Sequence, residues 1–372
     1  MTTHARTSTA ASTALDQAGV DAFAAKVLND TAGWAATTMA AIGDRLGLFK
    51  DLAAHGPATS DELAGRLGIN ERYAREWLAA MTSAGYIHHD QTSGIFSLPP
   101  EHAPALAQEA GPVFFGGAHH TLLGEVSVID SVIQSFRDGG GVPQSAYPDS
   151  TFDGMERFSA PWFENLLLQE WIPAMPEVGT KLEQGCRVAD VGCGRGRALI
   201  KLAQAFPRSR YVGYDVYGPN VDRATANAGD AGVGDRVTFR QADVSTEIPG
   251  EYELITTFDV IHDAVDPVGI LRAIRAALTP DGRYLCLEIN CSEKLEENVG
   301  PLGTILYSVS VLYCMTTSLA DGGEALGTAG LPESKLRELC REAGFGKFRR
   351  VPFENPFNVL YEIEAEPPAG NS

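Results

Sequence analysis

Val188-Ala189-Asp190-Val191-Gly192-Cys193-Gly194-Arg195-Gly196 is the stretch from which the fold of this 372-residue chain can be read. Small and apolar residues lead into an acid, and glycine then recurs at every second position. Arg197-Ala198-Leu199-Ile200-Lys201-Leu202-Ala203 follows with helical periodicity. That order spells a buried strand, a glycine loop and the first turns of an amphipathic helix. Gly192, Gly194 and Gly196 carry no Cβ, so the backbone can take positive φ and approach a ligand closely. The helix beyond them points free N–H groups and a positive dipole end into the loop. Two familiar cradles are excluded. A dinucleotide fingerprint, G-x-G-x-x-G/A, needs a small residue where Arg197 stands, and the Gly-Lys-Ser/Thr of a P-loop is absent.

Strands and helices alternate onward from this loop. The spacing predicts strands over 188–191, 210–215, 236–240, 253–258 and 283–289, with helices over 197–205, 220–228 and 267–278 between them. Asp266 serves as N-cap of the last helix, with Pro267 at its first position. After an insertion and a helix over 332–343, residues 348–351 and 359–363 read as two closing antiparallel strands. Alternation of this kind specifies an α/β, doubly wound, seven-stranded Rossmann-like sheet. Its ligands lie at the carboxyl ends of the strands, where the glycine loop and Asp215 both fall.

An acid followed by G-x-G-x-G resembles motif I of class I S-adenosylmethionine (SAM)-dependent methyltransferases. The run from Glu253 to Asp266, containing Phe258-Asp259-Val260-Ile261-His262-Asp263, is similar to the plant-type O-methyltransferase segment that ends in a His-Asp pair. With Asn355-Pro356-Phe357-Asn358 added, the whole looks like the actinobacterial winged-helix methyltransferases, which are similar to small-molecule O-methyltransferases. The likeness covers nearly all of the chain after the first twenty residues. It implies SAM as cofactor, S-adenosylhomocysteine as product, and no metal. Asp190, Gly192, Cys193, Gly194 and Gly196 would cradle the cofactor. Asp215, followed by Val216, would accept from both ribose hydroxyls. Asp243 and the Val244 N–H would meet the adenine, and Phe258 would pack beside the adenosine or methionine portion. His262 would be the general base, oriented by Glu288. The chain departs from the plant pattern in having Ala264 where a tryptophan usually follows His-Asp, and only Glu324 for the lid glutamate.

The length suits more than one domain. A disordered tail is expected over 1–18, a mostly helical winged-helix and dimerisation domain over 19–104, and a helical linker with the acceptor pocket over 105–180. The cofactor-binding domain then spans 181–366, with a lid insertion at 291–330. Apolar residues Phe23, Val27, Trp34, Met39, Ile42 and Leu46 recur at helical spacing near the N-terminus, ahead of two further helices and a hairpin. Such a module either reads DNA or pairs subunits. A formal net charge of −19 argues against nucleic acid, as do Glu71 and Glu76 beside Arg72 and Arg75. The expected partners are a small-molecule acceptor and a second copy of the chain, a homodimer formed through the N-terminal helices. Six cysteines without a C-x-x-C pair read as reduced packing residues of a cytoplasmic protein. No run of eighteen uninterrupted apolar residues is present, so no membrane span is expected. Two other functions stay open on sequence grounds: N- or C-methylation of a small molecule, and a SAM-sensing, DNA-binding regulator.

Overall fold

The computed structural model describes residues 15–365, so most of the expected N-terminal tail and the proline-rich end lie outside the described residues. The tail prediction overruns the start of the first helix. Asp16 accepts the Ala18 N–H at 3.2 Å, and α1 (Gln17–Arg45) begins there rather than after Ala18. The chain divides into two compact units between Ala103 and Pro104.

In the first unit, α1 is followed by α2 (Leu48–His55), α3 (Ser60–Leu67), α4 (Glu71–Ser83) and a hairpin of β1 (His88–Asp90) and β2 (Ile95–Ser97). Gly47, which takes φ +74°, separates α1 from α2. Thr59 and Glu62 form a reciprocal capping box at the start of α3. Only the last turns of α1 are buried. There Gly43 lies so close to Trp77 of α4 that a Cβ would sit 2.8 Å from the indole Cε2, and the indole N–H donates to the Met39 carbonyl. The rest of α1 displays Phe23 (67% exposed), Leu28 (69%) and Trp34 (59%) to solvent, with Val20 and Val27 beside them.

A turn of helix, α5 (Ala103–Leu106), leads into the second unit. There α6 (Gly116–Val126), α7 (Ile129–Asp138) and α8 (Asp149–Trp162), which runs on as a π-helical stretch (Phe163–Trp171), precede α9 (Pro176–Gln184). The α/β part follows as β3 (Arg187–Val191), α10 (Arg197–Ala205), β4 (Arg210–Asp215), α11 (Gly218–Asp230), β5 (Val237–Gln241), β6 (Tyr252–Phe258), α12 (Pro267–Ala277) and β7 (Leu278–Ile289). A long apolar helix comes next: α13 (Pro301–Val309), a π turn (Ser310–Cys314) and α14 (Met315–Ala320). Then come α15 (Glu333–Glu342), β8 (Phe345–Val351) and β9 (Asn358–Ala365). The seven strands run in the order β5-β4-β3-β6-β7-β9-β8, parallel except for β9, which is antiparallel to both its neighbours. Residues 279–282 form a bulge inside β7, because Leu278 already pairs with Tyr252 before Arg283 pairs with Leu254.

Both faces of the sheet are covered. Ala189, Ile255, Tyr284 and Ile363 pack on one side with α12 and α15, and Val188, Leu254, Leu287 and Leu360 on the other with α10 and the π stretch. The helix Pro301–Ala320 has a mean hydropathy of 1.4 over its most apolar window, enough in length and composition to cross a membrane although no unbroken run of eighteen apolar residues occurs. Within the protein 33% of that window is buried, and Ser310, Thr316 and Ser318 are among the buried residues of the helix.

One close packing was invisible in the sequence. Helix α6 begins at Gly116 and lies against α8 at backbone distance. A Cβ on Gly117 would stand 2.6 Å from the Arg157 carbonyl carbon, and one on Gly154 would stand 2.5 Å from the Thr121 nitrogen. Alanine for glycine inside a helix ordinarily gains about 1 kcal/mol. Overpacking against backbone costs about 1–3 kcal/mol, so Gly117→Ala is expected to lower stability in urea unfolding by up to roughly 2 kcal/mol.

Candidate active site

The carboxyl ends of the parallel strands bring the predicted residues into one row. In sheet order they are Asp243 and Val244 after β5, Asp215 and Val216 at the tip of β4, and the glycine loop after β3. Phe258 to His262 after β6 and Glu288 at the end of β7 complete it. The glycines divide by role. All three have positive φ, but a Cβ on Gly192 would stand 2.5 Å from Val260 Cγ2, and one on Gly196 would stand 2.8 Å from the Phe239 ring. At Gly194 a Cβ would meet no protein atom within 4 Å. The first and last glycines are therefore demanded by packing, and Gly194 presents bare backbone to open space. Helix α10 starts at the loop with no side-chain cap, leaving its first N–H groups for a ligand.

Asp215 ties this loop to its neighbour strand. Its Oδ2 accepts the Gly194 N–H and its Oδ1 the Tyr217 N–H, each at 2.9 Å, and Asn220 adds a side-chain hydrogen bond. Burial raises its pKa and these three donors oppose the rise. A carboxylate offers about four lone-pair sites, so accepting from both ribose hydroxyls would require one protein donor to yield. Asp190 is buried under the loop, where its Oδ1 accepts the Thr256 hydroxyl at 2.6 Å. Burial pushes it up to about 7, Thr256 pulls down, and Asp215 adds to the rise. Cys193 is buried with its N–H on the Tyr214 carbonyl, and burial holds its thiol well above the usual range. Asp243 is exposed and accepts the Ser245 N–H; Val244 is buried and Val216 exposed. Phe258 stacks on Trp171 at 6.0 Å and meets Phe163 edge-on at 5.1 Å, so its visible contacts are core packing.

Past β6 the chain turns sharply at Asp259, which takes φ +57°, a conformation that aspartate tolerates better than most residues. Its Oδ1 accepts from the Asn358 side chain at 2.7 Å, which gives the Asn355–Asn358 run a physical role beside the site. Glu288 is fully buried. One oxygen accepts the Ile261 N–H and the other meets His262 Nδ1, both at 2.8 Å. Burial opposes a charge on the His262 ring, but the adjacent Glu288 carboxylate and Cys314 outweigh it, so its pKa stands well above 6.5. The Cys314 thiol also hydrogen-bonds this imidazole. Donor atoms of Asp259, His262 and Glu288 lie within 4.8 Å of one another, as do those of His262, Asp263 and Cys314. The hydrogen bonds just described engage most of them.

Residues 318–327 of the insertion are tied to this loop. Gly327 N–H donates to the His262 carbonyl, Glu324 N–H to Val265, and the Ser318 hydroxyl to Ala264. Glu324 itself is exposed. Tyr147, Phe152, Tyr313 and Cys314 form an apolar cluster with Val132 and Val142, and Met155 and Tyr217 pack against it. The aromatic run of α8 and its π extension therefore splits. Phe152 and Met155 wall this cluster, while Phe163, Leu167 and Trp171 belong to the sheet core.

Arg195 was passed over as the variable residue of G-x-G-x-G. It is 7% exposed and pairs with Asp149 at 2.8 Å, with Asp153, and with Glu156 at 3.5 Å, all on α8. Arg197 meets Glu156 at 3.1 Å and Lys201 meets Glu164. The signal was present as an acidic stripe at positions 149, 153 and 156, which is one face of a helix.

Comparison with known proteins agrees with this geometry. Residues 34–108 match an Rv2258c-like winged HTH domain, and residues 182–326 match a methyltransferase domain. The O-demethylpuromycin-O-methyltransferase of Streptomyces alboniger is 27% identical over 339 residues, covering 82% of this chain and 85% of that protein. The 3-hydroxy-5-methyl-1-naphthoate 3-O-methyltransferase of Streptomyces sahachiroi is 27% identical over 327 residues, covering 83% and 86%. Human N-acetylserotonin methyltransferase, solved in complex with SAM, superposes with a TM-score of 0.67 at 17% identity over 95% of this chain and 99% of that one, a likeness of fold.

The glycine roles are separable by experiment. Gly194→Ala should cost about 1–2 kcal/mol of stability for its left-handed backbone, leave the fold intact by circular dichroism, and weaken SAM binding in calorimetry at least about tenfold, or 1.4 kcal/mol. Gly196→Ala adds a collision with Phe239 and should melt at a lower temperature than Gly194→Ala.

Proposed function

We propose that this chain, a SAM-dependent methyltransferase with a winged-helix domain ahead of its catalytic domain, methylates a hydroxyl group of a small, largely apolar molecule, with His262 as general base. The observation that carries the proposal is the His262–Glu288 pair, buried at 2.8 Å, with Cys314 of the apolar cluster beside the imidazole. The bare backbone at Gly194, the uncapped start of α10 and the buried acids Asp190 and Asp215 fit the cofactor. Asp243, Val244, Val216, Cys193 and Phe258 are assigned to the same site. SAM, when bound, supplies an electrophilic methyl group on a sulfonium.

The chain's own residues manage the proton and the geometry. A phenol has a pKa near 10 by analogy with tyrosine, so leaving it protonated at pH 7 would cost roughly 4 kcal/mol. A positioned base offsets most of that, about 10²–10⁴-fold. Nδ1 of His262 is committed to Glu288, so Nε2 takes the hydroxyl proton as the Cys314 thiol gives way. Glu288 stabilises the imidazolium that results. The apolar chamber excludes water and orients the acceptor. An amine acceptor has less need of a base, so the buried pair favours a hydroxyl over N- or C-methylation.

Residues 19–104 are assigned to subunit pairing, 105–180 to the acceptor wall and 181–366 to cofactor binding, with 291–330 as lid, in a cytoplasmic homodimer. The apolar stripe of α1 supports pairing, because such a face is stabilised by burial against a partner. Regulation through DNA is disfavoured: on α4, Arg72 pairs with Glu76 and Arg75 with Glu71, which blunts the basic face a DNA reader needs.

His262→Ala should lower kcat on phenolic acceptors by about 10²–10⁴ while SAM binding in calorimetry persists; unchanged kcat would sink the base assignment. The pKa of His262 is raised, so activity should fall with decreasing pH along a limb centred above 6.5. Glu288→Gln removes the charge that favours imidazolium and should move that limb to lower pH. Phe23→Lys combined with Trp34→Lys should convert a dimer to monomers in light scattering; an unaltered mass would exclude α1 as the interface.

A further inference from the structure

Glu125, near the end of α6, is fully buried, and neither of its carboxylate oxygens has a hydrogen-bond partner. Thr151 Oγ1, on the facing helix α8, is also buried without a partner. Thr151 packs against the residue that precedes Glu125, since a Cβ on Gly124 would stand 2.8 Å from Thr151 Cβ. Orphaned polar groups of this kind cost about 1–3 kcal/mol each, and native interiors contain few of them. Burial alone pushes Glu125 up to about 8, with no cation to offset it. The two nevertheless lie on helices that meet the apolar cluster of Tyr147, Phe152 and Tyr313. Helix α6 packs on α8 and on the π turn that carries Tyr313 and Cys314. Tyr147 lies close enough to feel both Glu125 and Cys314, which, after burial, oppose its ionisation.

We propose that Glu125, with Thr151, is a recognition group of the acceptor chamber: it receives a hydrogen-bond donor, an amine or a second hydroxyl, carried by the acceptor apart from the group that is methylated. The proposal rests on the reading that this chamber holds a methyl acceptor. The rest of the chamber is apolar, built from Val132, Val142, Phe152 and Tyr313. In such surroundings a ligand that satisfies the carboxyl is admitted, and an isostere lacking the donor leaves a buried polar group unpaired. While the site is empty the raised pKa keeps the carboxyl protonated, so the resting protein buries no net charge there. An arriving ammonium would displace that proton to solvent and form an ion pair. An arriving hydroxyl would donate to the carboxyl oxygen.

The test uses tyramine, tyrosol and 4-propylphenol, three phenols of similar shape whose far ends carry an amine, a hydroxyl and a methyl. Initial rates with labelled SAM should give the wild-type protein at least a tenfold higher kcat/KM on tyramine or tyrosol than on 4-propylphenol. Glu125→Leu should reduce that ratio at least tenfold and raise the melting temperature without acceptor, because it removes an orphaned group. Glu125→Gln, which keeps the shape and can still accept from a hydroxyl, should lose the preference for tyramine and retain one for tyrosol. A wild-type protein with no such preference, absence of turnover on all three included, overturns the proposal; so does an unchanged ratio in both variants, or a Glu125→Leu protein that melts below wild type. Mass spectrometry of the tyramine product separates this from the underlying reading: a methyl on nitrogen would refute hydroxyl methylation and leave the ratio test standing.

Discussion

The site depends on one carboxylate with two obligations. Glu288 ends a central strand with no exposure to solvent, and its two oxygens hold the Ile261 N–H and the His262 ring. A buried carboxylate is tolerable when hydrogen bonds satisfy it. Here those bonds also define where the loop after β6 goes and how its imidazole is turned. The strained turn at Asp259, held by Asn358 from β9, delivers the loop to that carboxylate. Three strands thus cooperate to fix one ring, and the apolar cluster and lid are arranged around it.

Most of the α/β half was legible because each of its elements obeys a local rule. Arg197–Ala205 and Arg210–Asp215 were predicted with the observed ends, and Asp266 caps α12 through the Gly269 N–H. These depend on periodicity, caps and glycine, which act within a few residues. The errors came where distant chain decides the outcome. The α6–α8 crossing uses glycine to admit a backbone that arrives some thirty residues later. The bulge at Thr279–Gly282 follows from strand pairing.

The site residues were likewise legible as types and positions, and less so as partnerships. That Asp215 lies at a strand tip follows from the alternation of elements. That it is already engaged by Gly194, Tyr217 and Asn220 follows from turns whose geometry no motif encodes. Arg195 shows the same limit. A motif treats its position as free, yet the side chain is clamped to three acids on α8, so the cofactor loop and one wall of the apolar chamber are fastened together. Glu125 carries no sequence signal at all, since a glutamate in an amphipathic helix is ordinarily a solvated residue.

The covering segment is stitched to residues 262, 264 and 265 by main-chain hydrogen bonds and one serine hydroxyl. Those bonds fasten residues 318–327 to the short loop that carries the imidazole, so displacing either stretch breaks hydrogen bonds made by the other.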